Sequence, residues 1–225
     1  HFARTADDLA EEGDATSDQR LNDLAAFRSD LVAVCDNKAA STRWADMFVA
    51  LSRQIQAFQL PTQLLHDLVT AFEQDVRYTA QAHRYADEAE LLDYCRLSAN
   101  PVGRLLLHLY KINDQASLAH SDHICSALQL INFWQDLSVD IPRHRHYLPL
   151  DACQRHGVTP EMLEERSINP KTTKLIAAQV LWASQKMQKG ASLARRIPGR
   201  AGWELRLVVQ GGLRILHKLE ANGFD

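Results

Sequence analysis

The sequence predicts an all-α fold, and three observations support this class. Gly and Pro are few, at 9 and 7 of 225 residues, while Ala, Leu, Gln, Glu and Arg, which favour helices, are abundant. Apolar residues recur with helical periodicity, and no alternating strand pattern runs beyond a few residues. Breaks recur along the chain without a long linker between them. We therefore expect one helical domain spanning residues 1–225.

Each predicted helix follows from its apolar period and from the break that ends it. The predicted helices are residues 2–12, 18–35, 41–58, 61–76, 86–110, 116–141, 160–165, 171–197 and 202–221. Pro61 suits a first helical turn, and Gly13 suits the position after a helix end. The chain opens inside the first predicted helix without an initiator Met. We therefore expect further residues upstream, including a helix that the present sequence lacks.

Composition excludes several classes of protein. The net charge of −3 gives no general attraction to nucleic acid. The four cysteines are far apart and form no CxxC pair, which indicates free thiols in a reducing compartment. No run of 18 apolar residues predicts a membrane span. The cytoplasm is the expected location.

The last predicted helix carries an apolar face formed by Leu205, Val208, Gly212, Ile215 and Leu219. Packing against the core is the first interpretation, with the pair at 211–212 allowing a close helix approach. Contact with the surface of the inner membrane, or with other enzymes, is the alternative.

The helix predicted at 116–141 carries one polar stripe on an otherwise apolar surface. Cys125, Gln129, Asn132, Asp136 and Asp140 fall within about 80° of one another around this helix. A helix this apolar is usually buried, so we expect the stripe to face an internal cavity. The helix should end near Ile141, because the residue before a proline disfavours the helical conformation.

A second acidic cluster, Asp7, Asp8, Glu11 and Glu12, crowds the end of the first helix. Carboxylates are unfavourable at a helix C-terminus, so two such clusters indicate compensating cations, although solvated surface charge remains the alternative. Oxygen ligands favour Mg²⁺, with Mn²⁺ as the second choice, over zinc. Mg²⁺ usually completes its shell with water and substrate phosphates, which predicts a diphosphate-bearing ligand.

Basic residues lie close to both acidic clusters. Arg4 comes one turn before Asp7, and Arg145 follows the second cluster. A guanidinium group matches the geometry of phosphate oxygens. His144 and His146 are interpreted as loop residues and not as catalysts.

The segments "FARTADDLAEEGD", "LLDYCRLSANPVGRLLLHLY", "SALQLINFWQDLSVD" and "RHYLP" resemble the squalene/phytoene synthase family. This family consists of head-to-head prenyl synthases whose all-α isoprenoid-synthase fold is a helical bundle around a central cavity. The narrower resemblance is to bacterial members that form hydroxysqualene, and "FARTADD", "SANPVG" and "NFWQD" carry it.

The resemblance implies roles for particular residues. Asp7 and Glu11 would form the first metal-binding motif, with Asp8 between them. Asp136 and Asp140 would form the second motif, with Asn132 one turn earlier. Arg4, Arg145 and Tyr147 would contact diphosphate oxygens, and Gln129 would lie deeper in the cavity. The remaining matched positions would line the prenyl channel: Tyr94, Ser98, Ala99, Val102 and Gly103.

The chain departs from the family pattern at three places. Glu11 stands where the first motif usually ends in Asp, and "DLSVD" lacks the Glu that often precedes the last Asp. Asn100-Pro101 stands where relatives that make squalene or phytoene tend to have small residues. This difference suggests a polar group near the carbocation that forms when such a substrate loses diphosphate.

The resemblance implies Mg²⁺-dependent conversion of presqualene diphosphate and water to hydroxysqualene and diphosphate. No nicotinamide is expected, although the lack of GxGxxG is weak evidence because squalene synthases bind nicotinamide without that motif. Synthesis of presqualene diphosphate, squalene or phytoene from two prenyl diphosphates such as farnesyl diphosphate is the alternative. An inactive family member acting as a partner protein is a third interpretation.

Overall fold

Helices account for almost all regular structure in this computed structural model, which describes residues 1–165 and 169–223. The first seven helices are α1 (Phe2–Glu11), α2 (Ser17–Cys35), α3 (Ala45–Phe58), α4 (Gln63–Ala80), α5 (Glu88–Ser98), α6 (Asn100–Leu109) and α7 (Gln115–Gln135). The next six are α8 (Leu137–Asp140), α9 (Leu150–His156), α10 (Pro160–Glu164), α11 (Pro170–Gly190), α12 (Leu193–Arg196) and α13 (Gly199–Ala221). The described residues form no strand, only one isolated bridge between Arg84 and His146. The predicted all-α class is confirmed.

Side-chain caps fix where several helices begin. Thr16 caps α2 in a reciprocal arrangement with Gln19, whose side chain accepts from the Thr16 main-chain N–H. Asp87 caps α5 by accepting from the main-chain N–H of Glu90 at 2.9 Å, and Asp114 caps α7 in the same way. Such caps satisfy main-chain donors that have no partner within the helix.

The helix predicted at 86–110 divides at Ala99 into α5 and α6. Ala99 has φ −112° and ψ −47°, and Pro101 lies in the first turn of α6. Proline has no N–H to continue the hydrogen bonds of α5, but it fits a first turn. The predicted continuous helix is therefore wrong at this point.

The helix predicted at 116–141 also ends early. Gln135 is the last residue of α7, and Asp136 has non-helical angles of φ −100° and ψ 9°. The Asp136 carboxylate accepts a hydrogen bond from the Asn132 amide at 2.8 Å, a contact between residues four apart that the last turn of α7 brings together. Asp140 consequently lies on the separate helix α8, and a 3₁₀ turn at Ile141–Arg143 follows.

Two further differences concern the C-terminal half. The helix predicted at 171–197 stops at Gly190, where the ring of His120 donates from Nδ1 to the Lys189 carbonyl at 3.0 Å. That contact occupies an acceptor which the helix would otherwise use. Helix α9, which has seven residues, was not predicted.

Helix α7 lies at the centre of its neighbours and packs against α5, α6, α11, α12 and α13. Its buried residues include Ile124, Leu130, Phe133 and Trp134, as expected of a helix that is apolar on most sides. Helix α4 packs against α1 and α2 on one side and α5 and α6 on the other. The acidic end of α1 and the α7–α8 region are thereby brought to one part of the molecule.

Helix α13 packs on the core through a face slightly different from the predicted one. Gly212 is buried, and an added Cβ there would lie 2.7 Å from Met187 Cε, so this glycine permits the close approach. Leu205, Ile215 and Leu219 pack against the core, but Val208 is exposed. Among the helices described, none combines the length and apolarity needed to span a membrane.

Candidate active site

The first acidic cluster is held by Arg4 on the same helix. The Arg4 guanidinium lies 3.2 Å from Asp7, 2.8 Å from Asp8 and 2.6 Å from Glu12. Arg4 is therefore engaged with carboxylates in this arrangement. A role in holding an anion would require it to exchange these partners.

Glu11 pairs with Arg145, at 2.9 Å between Oε1 and Nη1. The main-chain N–H of Arg145 donates to the carbonyl of Asp140 at 3.0 Å. The Arg145 side chain is only 16% exposed, so it is a largely desolvated cation. One arginine therefore contacts both acidic motifs, which lie about 130 residues apart in the sequence.

The two motifs also act on one another electrostatically. Burial raises the pKa of Asp140 to about 6, with Asp136 and Glu11 adding to the rise and Arg145 opposing it. Burial likewise raises the pKa of Asp7, assisted by Glu11, while Arg4 and Arg145 lower it. The arginines nearby do not hold the pKa values of Asp7 and Asp140 at their usual level, as expected of carboxylates that bind a cation.

The polar stripe of α7 is more accessible than the sequence suggested. Asn132 is exposed and Gln129 and Asp136 are half-buried, whereas Asp140 is buried. The stripe therefore borders solvent at Asn132, and the expectation of a fully internal stripe is wrong there. Asn132 and Asp136 remain adjacent through their 2.8 Å hydrogen bond.

The donor chemistry fits magnesium, although no three Asp, Glu, His or Cys side chains among the residues described converge closely enough to hold a metal ion unaided. Mg²⁺ is commonly bound by one or two carboxylates, with waters and substrate phosphates completing an octahedral shell. Asp7 and Glu11 on one side and Asn132, Asp136 and Asp140 on the other supply hard oxygen donors. The raised pKa values of Asp7 and Asp140 agree with such a role.

A cluster of aromatic rings lies beside the acidic motifs. Tyr147 stacks on Phe133, with centroids 3.7 Å apart and an interplanar angle of 9°. Tyr85 and Tyr94 flank Tyr147 at 6.1 and 6.3 Å. His146 is buried next to Tyr147, and burial lowers its pKa. The cluster presents aromatic faces near charged groups, an arrangement that can stabilise a cation.

Asp75 on α4 is a site residue that the sequence analysis missed. Its Oδ2 accepts a hydrogen bond from the Tyr94 hydroxyl at 2.6 Å. Burial raises the pKa of Asp75 to about 7, and the charges of Glu11, Arg145 and Asp7 all act on it. The available signal was its position, because Asp75 lies three residues after Phe72 and seven after Leu68, on the apolar face of its helix.

The predicted channel residues separate into two groups. Val102 and Gly103 line an apolar cavity of about 310 Å³ between α6, α7, α12 and α13, together with Cys125 and Leu128. Tyr94 lies in the aromatic cluster instead, and Ser98 and Ala99 are half-buried at the junction of α5 and α6. Of the five residues predicted to line one channel, Val102 and Gly103 line this cavity and the other three do not. The prenyl channel itself stays a prediction.

Gly103 allows α6 to approach α7 closely. A Cβ at this position would lie 2.3 Å from Ser121 Oγ and 2.5 Å from Cys125 Sγ. Asn100, on the same helix, is buried and accepts a hydrogen bond from the Ser126 hydroxyl at 3.0 Å. Asn100 therefore joins α6 to α7 in this structure, and its suggested placement near a reacting cation remains a prediction.

An all-α bundle with paired acidic motifs, an arginine between them and an adjacent apolar cavity defines an isoprenoid-synthase type of protein. The squalene/phytoene synthase family model matches residues 1–225, and the chain belongs to this family.

Individual relatives agree with this assignment. The chain is 30% identical over 222 residues to hydroxysqualene synthase from Rhodopseudomonas palustris, covering 98% of this chain and 72% of that protein. It is 28% identical to presqualene diphosphate synthase from the same organism, covering 99% of this chain and 77% of the relative. The crystal structure of squalene synthase HpnC from Alicyclobacillus acidocaldarius superposes with a TM-score of 0.88 at 30% identity, covering 100% of this chain and 81% of that one.

Proposed function

We propose that the protein converts presqualene diphosphate and water to hydroxysqualene and diphosphate with the help of Mg²⁺. The observation that carries the proposal is the Arg145–Glu11 pair, which joins the two acidic motifs into one candidate site. The similarity to hydroxysqualene synthase over 98% of this chain supports the particular reaction.

We assign the metal-binding role to Asp7, Glu11, Asn132, Asp136 and Asp140. Bound Mg²⁺ would neutralise the negative charge that grows on the diphosphate as its bond to carbon breaks. Arg145 would donate to diphosphate oxygens from its fork of N–H groups, released from Glu11 as that carboxylate turns to the metal. Arg4, released from Asp7 and Asp8, would do the same at the rim. Gln129 and Tyr147 are assigned to the inner part of this substrate site.

Loss of diphosphate leaves a carbocation that must be protected from random water. The apolar cavity beside α7 suits the hydrocarbon part of the substrate, since Val102, Gly103 and Leu128 line it. The faces of Tyr94, Phe133 and Tyr147 would stabilise positive charge by about 0.5–2 kcal/mol for each favourable contact. Capture of the cation by one water then yields the alcohol without a hydride donor.

Product analysis tests the proposal. Purified protein with presqualene diphosphate and Mg²⁺ should release hydroxysqualene and diphosphate without added NADPH. Matched reactions with EDTA, and with farnesyl diphosphate in place of presqualene diphosphate, serve as controls. Squalene formed only with NADPH would contradict the proposal.

Synthesis of presqualene diphosphate or phytoene from two prenyl diphosphates is the second candidate. The 28% identity to presqualene diphosphate synthase over 99% of this chain favours it, as does 35% identity over 143 residues to phytoene synthase from Thermus thermophilus, covering 63% of this chain and 48% of that protein. Accumulation of presqualene diphosphate from farnesyl diphosphate, with no alcohol formed from presqualene diphosphate, would select this candidate.

Contact with a membrane surface is a further proposal, because the substrate and product are largely hydrocarbon. Trp203, Leu207 and Val208 on α13 are 59%, 52% and 44% exposed, and exposed apolar groups of this kind suit the interface of a bilayer. Sedimentation with phospholipid vesicles, compared between wild type and Trp203→Ser, tests it. Equal recovery of both proteins in the supernatant would contradict it.

A further inference from the structure

A small hollow lies next to Asp75, away from the apolar cavity. Its volume is about 10 Å³, and it is lined by Asp75, Thr79, Arg145, three tyrosines at 78, 85 and 147, and three histidines at 83, 144 and 146. A cavity holds one water when it offers roughly 10–15 Å³ to the water centre and two to four polar partners. This hollow meets the size of a single water and provides hydroxyl, guanidinium, imidazole and carboxylate groups.

The Asp75 carboxylate can bind a water there in addition to its existing partner. Its Oδ2 accepts the Tyr94 hydroxyl at 2.6 Å, and an ionised carboxylate accepts up to about four hydrogen bonds. The same bond orients the Tyr94 hydroxyl towards Asp75. Asp75 and Tyr94 therefore form a fixed polar pair next to otherwise aromatic surroundings.

The hollow lies between the diphosphate region and the aromatic cluster. Arg145 lines it and also pairs with Glu11 at 2.9 Å. Tyr147 lines it as well and stacks on Phe133 of α7 at 3.7 Å. A water in the hollow would stand beside the arginine that holds the leaving diphosphate and next to Tyr147, one of the rings assigned to stabilise the cation.

We propose that this hollow binds the one water that the reaction consumes, with Asp75 as the hydrogen-bond acceptor that holds it. The inference rests on the proposed conversion of presqualene diphosphate to hydroxysqualene. In the capture step, a lone pair of the water oxygen forms the new C–O bond to the carbocation. The proton that this oxygen loses passes to the Asp75 carboxylate, so positive charge leaves the product and a neutral carboxylic acid forms.

The electrostatic surroundings of Asp75 agree with proton acceptance at neutral pH. Burial raises its pKa to about 7, with Glu11 and Asp7 adding to the rise and Tyr94 and Arg145 opposing it. A general base is most effective when its pKa lies near the working pH.

The test measures two products of the same turnover, diphosphate released and hydroxysqualene formed, from presqualene diphosphate with Mg²⁺. We compare wild type with Asp75→Leu and Asp75→Asn, and use Asp67→Leu as the matched control on the same helix. Asp75→Leu should lower the alcohol formed per diphosphate about tenfold, the effect of losing one hydrogen bond to a charged group. Asp75→Asn still accepts hydrogen bonds, so its ratio of alcohol to diphosphate should lie between those of wild type and Asp75→Leu. The ratio for Asp67→Leu should match that of wild type.

An unchanged ratio in Asp75→Leu would overturn the inference while leaving the proposed function intact. Wild-type protein that releases diphosphate but forms no alcohol would contradict both. If Asp75→Leu fails to fold or to release diphosphate, a high-resolution crystal structure of the wild type decides. One ordered water within about 3 Å of the Asp75 carboxylate supports the inference, and an empty hollow overturns it.

Discussion

The guanidinium of Arg145 lies 2.9 Å from the carboxylate of Glu11, and this ion pair joins the end of α1 to the segment that follows α8. The main-chain N–H of Arg145 also donates a hydrogen bond to the main-chain carbonyl of Asp140. Through its side chain and its main chain, a single residue therefore contacts two acidic motifs that the sequence separates widely. This contact is the basis of the proposal that both motifs act on one diphosphate.

Replacing Arg145 should impair turnover strongly. We expect Arg145→Ala to lower kcat for diphosphate release by about 10²–10³, the usual effect of removing one stabilising donor from a transition state. Arg145→Lys keeps the charge but not the fork, so its loss should be smaller. Steady-state kinetics measure this, with Arg96→Ala as the control, because the Arg96 side chain is 60% exposed on α5. Equal loss in both alanine variants would contradict the role of Arg145.

Mg²⁺ together with pyrophosphate should stabilise the protein against heat. A ligand present at 100 times its Kd adds about 2.7 kcal/mol to the free energy of unfolding. Asp136→Ala should lose this stabilisation, whereas Asp93→Ala, whose side chain is 79% exposed on α5, should keep it. Thermal denaturation with and without the ligands measures both. A wild type that responds to neither ligand would favour the inactive family member.

The stability of the metal-free protein should depend on pH through Asp140. Its pKa is raised from 3.8 to about 6, so the folded state binds more protons than the unfolded state between these values. The free energy of unfolding should therefore fall as pH rises from about 4 to about 6 and then lose no more from this group. Asp140→Asn should remove this part of the slope. Urea denaturation in EDTA at a series of pH values measures this slope. The same pH dependence of the free energy of unfolding in wild type and Asp140→Asn would contradict the prediction.

Gly103→Ala should destabilise the protein, because the new methyl group would overlap Ser121 and Cys125. Overpacking of this kind reduces the free energy of unfolding by about 1–3 kcal/mol. Gly211→Ala is the matched control, since nothing lies within 4 Å of its Cβ, and alanine there should stabilise the helix by about 0.5–1 kcal/mol. Urea denaturation measures the free energy of unfolding of both variants. An equal change in the same direction for both would contradict the packing argument.

Helix existence was largely predictable because apolar periodicity is a local signal. The interruptions were not, since they depend on single side chains and on tertiary contacts. Pro101 indicated the break at Ala99 in retrospect, but no proline or glycine marks the end of α7 at Gln135, and the end of α11 involves a contact with the distant His120. Val208 was predicted to lie on the face that packs against the core, but it is exposed. The apolar face of α13 allows more than one packing direction.

The site was predictable in part for a comparable reason. The acidic clusters were visible because carboxylates at helix ends are unfavourable without a cation. The pairing of Glu11 with Arg145 was not visible, since it depends on how α1 packs against the segment after α8. Asp75 was overlooked although it lies on the apolar face of α4, because a single acid there does not reveal its role until its tyrosine partner is known.

The most direct test of the account is a crystal structure of the full chain soaked with Mn²⁺ and pyrophosphate, with the metals located by anomalous scattering. We expect metal ions at about 2.1–2.2 Å from carboxylate oxygens of both motifs, Asp7 or Glu11 on one side and Asp136 or Asp140 on the other, with one pyrophosphate between them. Metal bound to one motif alone, or to the two motifs at separate surfaces without a shared pyrophosphate, would contradict it.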